Sequence, residues 1–123
     1  MQNNPTSQQI GRLGEQIAQS YLSSKGLHII DRNFRTKYGE IDLIIKQAKK
    51  IIFVEVKTRV GDQKGMPYEA VTRNKYSHLK LAAQLYVLKN NLKEYKLSIH
   101  VVSIILTADL KVEKIHHFED VQL

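Results

Sequence analysis

Four charged residues interrupt two runs of isoleucine and valine: Glu40 and Asp42 in GEIDLIIK, and Glu55 and Lys57 in FVEVKTR. Suppose the two runs form a hairpin that turns symmetrically about Ala48 and Lys49. Asp42 then lies opposite Glu55, and Glu40 opposite Lys57. Opposed strand residues have Cβ atoms ~4.5 to 5.5 Å apart, where like charges repel. Positive charge between Asp42 and Glu55 can come from Lys57 or from a divalent cation; otherwise water must screen them on an exposed face. A solvated face with a Glu40–Lys57 ion pair would contribute only ~0 to 1 kcal/mol. Ile44 and Phe53 share that face and imply that something packs over it. A partly buried carboxylate pair is a seat for a hard cation such as Mg²⁺, which takes oxygen ligands and keeps several waters.

These residues need a sheet to hold them. In the symmetric register Ile41, Leu43, Ile45, Ile52, Val54 and Val56 line one purely apolar face, which is core. Before the hairpin, Ile10, Leu13, Ile17, Ala18, Tyr21 and Leu22 recur at helical spacing, which predicts a helix over 7–25. Thr6 and Gln9 form its capping box and Gly26 its stop. LHIIDRNFR predicts a first strand ahead of a turn at TKYG. After the hairpin, VGDQKGM carries no packing signal and predicts a mobile loop. Pro67 fits the first turn of a second helix over 67–90, with a break near Thr72. KLSIHVVSIILT and KVEKIHHFE predict the last two strands. Strands joined through a long helix pair in parallel by a right-handed crossover, so the order predicts an α/β fold: a mixed β-sheet of about five strands flanked by helices.

With 123 residues the chain suits one domain, 1–123. Hydrophobic residues at 42% and charged residues at 25% exclude a disordered or fibrous chain. Nineteen Lys and Arg against twelve Asp and Glu leave a net charge of +7, which suits a phosphate-bearing partner. The absence of cysteine excludes disulfides, thiolate metal sites and cysteine nucleophiles, and fits a reducing cytoplasm. The N-terminal MQNNPTSQQ lacks the apolar run of a signal peptide, and VVSIIL is too short to span a bilayer, so a cytoplasmic protein with no membrane contact is expected.

The blocks GRLGEQIAQSYLSSKG, NFR, GEIDLI, FVEVKTR and PYEAVTRNK follow one another over about residues 11–86. In this order they resemble the UPF0102 (YraN-like) family of the PD-(D/E)XK nuclease superfamily, which is similar to archaeal Holliday junction resolvases. An isolated Glu-x-Lys is a weak signal, whereas all the blocks together are specific. The resemblance implies a restriction-endonuclease-like fold and a metal-dependent DNA endonuclease, with branched or junction DNA as a candidate substrate. It implies Mg (or Mn) held by Asp42, Glu55 and the Val56 carbonyl, with Lys57 and Glu15 as further catalytic residues. Glu15 sits at the margin of the first helix's apolar stripe, and Gly11 and Gly14 would let that helix approach the sheet. One departure stands out: where relatives carry Asp in the fourth strand, as in RFDV, this chain has SIHV with His100.

Arg35, Lys37, Arg59, Arg73 and Lys75 are candidates to grip phosphates of a nucleic acid jointly rather than singly. Lys75 is the one the resemblance singles out. Tyr38 and Tyr68 could stack on bases or simply pack. His28, His78, His100, His116 and His117 show no metal-ligand spacing and receive no catalytic role. A resolvase cutting two strands would be a homodimer. The competing readings are a nucleic-acid-binding module of the same fold with little cleavage, and a protein-interaction scaffold.

Overall fold

The computed structural model describes residues 4–61 and 72–122. Within them, helices α1 (Ser7–Ser24) and α2 (Arg73–Lys89) accompany strands β1 (His28–Thr36), β2 (Gly39–Gln47), β3 (Lys50–Val60), β4 (Lys96–Leu106) and β5 (Val112–Phe118). The strands form one sheet in the order β1-β2-β3-β4-β5. β3 and β4 pair in parallel and the other neighbours antiparallel. The mixed α/β sheet expected from the sequence is the fold adopted, and the parallel pair is the one whose connection contains a helix.

Local chemistry explains where the elements begin and end. Gln9 donates its backbone N–H to Thr6 Oγ1 at 3.1 Å, and Thr6 N–H donates to Gln9 Oε1 at 2.8 Å, a reciprocal capping box for α1. The chain leaves α1 through Lys25 and Gly26, the latter at φ +83°, where a glycine meets no steric penalty. The hairpin register runs from Gln47↔Lys50 to Leu43↔Val54, as the symmetric turn predicts, with Ala48 at φ 53°. Thr72 Oγ1 accepts the Lys75 N–H at 3.1 Å and caps α2, so the helix starts just past the predicted break. The predicted helical turn at Pro67, Tyr68 and most of the predicted loop before it fall within 62–71, outside the described residues.

Strand alternation sends side chains to two layers. Leu43, Ile45, Ile52 and Val54 pack with Ala18 and Leu22 of α1. Ile44, Ile51 and Phe53 pack with Leu79, Ala82 and Tyr86 of α2. Ile41, expected to share a face with Leu43 and Ile45, belongs to the α2 layer instead. It pairs with Phe34, whose ring meets Tyr86 edge-on at 5.0 Å, and the adjacent Asn33 has φ 52°, which breaks regular alternation at this end of the sheet.

The glycine expectation divides. A Cβ on Gly14 would lie 1.7 Å from Thr58 Oγ1, so α1 crosses β3 at a distance that requires glycine. A Cβ on Gly11 would meet nothing within 4 Å, so Gly11 does not serve the close approach expected of it. No helix among the described residues is long and apolar enough to cross a membrane.

Candidate functional site

The β2–β3 pairing stops at Leu43↔Val54, one step before the acidic residues. Asp42 and Glu55 therefore lie beyond the main-chain ladder instead of forming its next pair. There Asp42 Oδ2 accepts the Val56 N–H at 2.7 Å, the carboxylate standing in for a strand carbonyl. The N–H and C=O of a strand residue project to the same edge. The Val56 carbonyl is thus turned toward β2 as well. Asp42 is 9% exposed and Glu55 4%.

The predicted Glu40–Lys57 pair gives way to other partners, because strands that have parted no longer hold these residues opposite each other. Glu40 pairs with Arg35 at 3.7 Å, while Lys57 Nζ lies 3.6 Å from Glu55 Oε2. Lys75 Nζ, from the first turn of α2, reaches the same Glu55 oxygen at 2.5 Å. Lys75, expected to grip phosphate, is here a counter-ion of the acidic pair. Glu15 joins the group indirectly: Asn33 Nδ2 donates to Glu15 Oε1 at 2.9 Å and to Glu40 Oε1 at 2.7 Å.

Burial, followed by the negative charge of Glu55, pushes the Asp42 carboxyl up to about 8; Glu15 and Glu40 add to the rise, and the Val56 N–H opposes it. Burial and then the neighbouring Lys75 ammonium lower the Lys57 pKa. Burial also pulls Lys75 down, but its bond to Glu55 leads the interactions that leave it raised overall. Asp42 gives a testable sign. Its folded pKa lies above the unfolded 3.8, so the folded chain binds the extra proton between about 4 and 8 and loses stability as pH rises through that window. For one proton the slope is at most ~1.4 kcal/mol per pH unit. In chelator, urea unfolding should show wild type losing about 1 kcal/mol from pH 6 to pH 7, and Asp42→Asn losing clearly less. Equal slopes would place the titration elsewhere.

A cleft of about 400 Å³ opens over the acidic pair, lined by Tyr38, Glu40, Asp42 and Glu55 on one side and by Asn74 and Lys75 on the other. The first turn of α2 has no acidic residue, so its N-terminal partial positive charge and Lys75 act together toward this cleft. The other sequence candidates are more peripheral. The Arg35 side chain is 82% exposed. Lys37 Nζ sits 5.3 Å from the Tyr38 ring centroid. Arg73 is exposed at the start of α2, and Arg59 is half-buried on β3. Tyr38 lies tilted against His78 at 6.5 Å, and both line the cleft.

Sequence reasoning gave no role to Asn33, Asn74 or His78. Asn33 had a readable signal, since asparagine inside a strand run is enriched at positive φ. Asn74 and His78 are spaced i, i+4 and share a helix face once the helix start at Thr72 is known.

The comparisons with known proteins agree on one family. The model of "Uncharacterised protein family UPF0102" matches residues 14–104. A UPF0102 protein of Syntrophomonas wolfei is 45% identical over 111 residues, covering 90% of this chain and 95% of the relative. One from Caldanaerobacter subterraneus is 41% identical over 109 residues, 88% of this chain and 89% of the relative. A Clostridium botulinum relative is 43% identical over 98 residues, 79% and 80% of the two chains. The matched span contains Glu15, Asp42, Glu55, Lys57 and Lys75, and by this match the chain belongs to the UPF0102 family.

Proposed function

We propose that the chain is a metal-dependent endonuclease that hydrolyses phosphodiester bonds in DNA, with branched or junction DNA as its candidate substrate. The observation that carries this reading is the pair of buried carboxylates, Asp42 and Glu55, facing a cleft together with Lys75, with Lys57 Nζ 3.6 Å from Glu55 Oε2. The donor set fits a hard cation. Asp42 has one oxygen engaged by Val56, and burial, followed by the negative charge of Glu55, pushes its pKa up to about 8, so a cation would relieve both. Asp42, Glu55 and the Val56 carbonyl would hold Mg²⁺ or Mn²⁺, all through oxygen. Such an ion supplies Lewis acidity to a phosphoryl oxygen and lowers the pKa of adjacent water.

The chain's own groups do the rest. In hydrolysis, water oxygen forms a new bond to phosphorus while the bond to the departing sugar oxygen breaks and that oxygen gains a proton. Lys57 Nζ, lowered in pKa, orients the water and donates to charge developing on the phosphoryl oxygens. The start of α2 and the exposed Arg35, Lys37 and Arg73 position the backbone. Asn33 keeps Glu15 and Glu40 in register beside the pair.

A second reading, a nucleic-acid-binding module of the same fold with little cleavage, draws on Lys75, whose short ion pair already neutralises Glu55. The deciding experiment is a panel of junction, flap, nicked and single-stranded DNAs incubated with Mg²⁺ or Mn²⁺, with Asp42→Asn as the blank. Cleavage by wild type alone supports the nuclease. Binding without cleavage favours the module, and equal cleavage by the blank identifies a contaminant.

A further inference from the structure

We infer that His100, His117 and Glu119 form a binding site for a borderline transition-metal ion, Zn²⁺ foremost, distinct from the Asp42–Glu55 pair. The ligand atoms of these three residues all lie within 4.8 Å of one another. Two imidazoles and one carboxylate form a donor set for zinc, cobalt or nickel rather than magnesium. The inference is independent of the nuclease reading, because the two groups occupy opposite faces of the sheet. Glu55 pairs with Val101 and shares its face, whereas His100 is the next residue along β4 and points the other way. His117 pairs with Val102, on the same face as His100, and meets Lys25 and Tyr21 of α1.

The hydrogen bonds determine where the lone pairs are. Lys25 Nζ lies 2.9 Å from His117 Nδ1, and a charged ammonium can only donate, so His117 Nδ1 accepts. A neutral His117 then carries its proton on Nε2, which lies 2.9 Å from His100 Nδ1 and donates to it. His100 is thereby left with its proton on Nε2, a buried atom with no hydrogen-bond partner. A metal ion between the facing nitrogens would take the lone pair of His100 Nδ1 and that of His117 Nε2, whose proton moves to His117 Nδ1 as the exposed Lys25 ammonium turns away, so both imidazoles stay neutral. Two nitrogens bound at ~2.1 Å are ~3.0 Å apart at a right angle and ~3.4 Å apart at a tetrahedral angle, so the observed spacing needs little adjustment.

The surroundings match a built metal site. Asp120 Oδ1 lies 3.8 Å from His100 Nε2, beyond hydrogen-bond distance but near the place of a carboxylate that orients a ligating imidazole through its other N–H. Asp120 is itself held by Ser98 Oγ and by Lys50 Nζ at 3.6 Å. His100 is buried in β4, while Glu119 is exposed just beyond β5. An ion shared by them would staple the end of the chain to the sheet and leave a coordination position open to solvent.

The test uses the full chain with ZnCl₂ or CoCl₂ as the probe, reading thermal stability and the visible absorption of bound Co²⁺. At ~100 times Kd the ion is expected to raise Tm by about 5 to 10 °C. His117→Gln and Glu119→Gln should each lose that shift and the cobalt spectrum, and Asp42→Asn should keep both. Glu119 is exposed, so its variant keeps the test decisive if His117→Gln fails to fold. No shift in wild type, a shift surviving in both ligand variants, or a shift lost in Asp42→Asn would each overturn the site.

Discussion

In the Lys57→Ala protein, metal-dependent DNA cleavage is expected to fall ~10²- to 10³-fold, the usual cost of removing one donor to developing negative charge. Stability should change little. Lys57 lies 3.6 Å from Glu55 Oε2, but Lys75 reaches the same oxygen at 2.5 Å and remains in the variant, so Glu55 is not left buried without a counter-ion. The Lys57 side chain is 32% exposed, and its ion pair is worth at most ~1 kcal/mol. Cleavage rate, DNA affinity and urea midpoint measured on one preparation separate the roles: a lost rate with retained affinity and midpoint identifies an interaction made in the transition state. An unchanged rate would make Lys57 a counter-ion only, and would leave the nuclease reading without its third catalytic group.

Gly14→Ala should destabilise the protein by about 2 to 3 kcal/mol, the range of an overpacked core position. The added methyl would overlap Thr58 Oγ1 at 1.7 Å and approach Thr58 Cβ at 2.8 Å. Thr58 is β-branched and sits on β3 beside Lys57, so it cannot swing aside as a long side chain would. Gly11→Ala provides the contrast: with open space around it and the same helix, it should stabilise by ~0.5 to 1 kcal/mol. Urea unfolding of both variants, with Thr58→Gly as a second-site partner, tests the cause. In the Thr58→Gly background the cost of Gly14→Ala should largely vanish. A Gly14→Ala variant within ~0.5 kcal/mol of wild type would remove the close helix–strand approach from the account.

Both predictions rest on features that the sequence revealed unequally. The hairpin register was legible because a symmetric two-residue turn and an uninterrupted apolar face admit one pairing. The point where that pairing ends was not, since it depends on Asp42 turning its carboxylate to the Val56 N–H. Thr6 and Gln9 announced a helix start because a capping box is local chemistry. The bond from Lys75 to Glu55 depends on how α2 docks across the sheet, which strand and helix periodicity do not encode. Gly11 and Gly14 look alike in the sequence, and only the crossing point of α1 over Thr58 distinguishes them. His100 and His117 meet because β4 and β5 pair in one particular register, and their separation in the chain matches no metal-ligand motif.

The strand order also has a kinetic side. Because β1, β2 and β3 neighbour one another in chain order, Asp42 and Glu55 can come together through short turns. The parallel pairing of β3 with β4 instead closes the long connection that contains α2, and with it comes the larger loop-closure entropy. Lys75 arrives with that later closure. The acidic pair can therefore assemble before its strongest counter-ion, and a proton on Asp42 is the cheapest way to lower the charge in the interval.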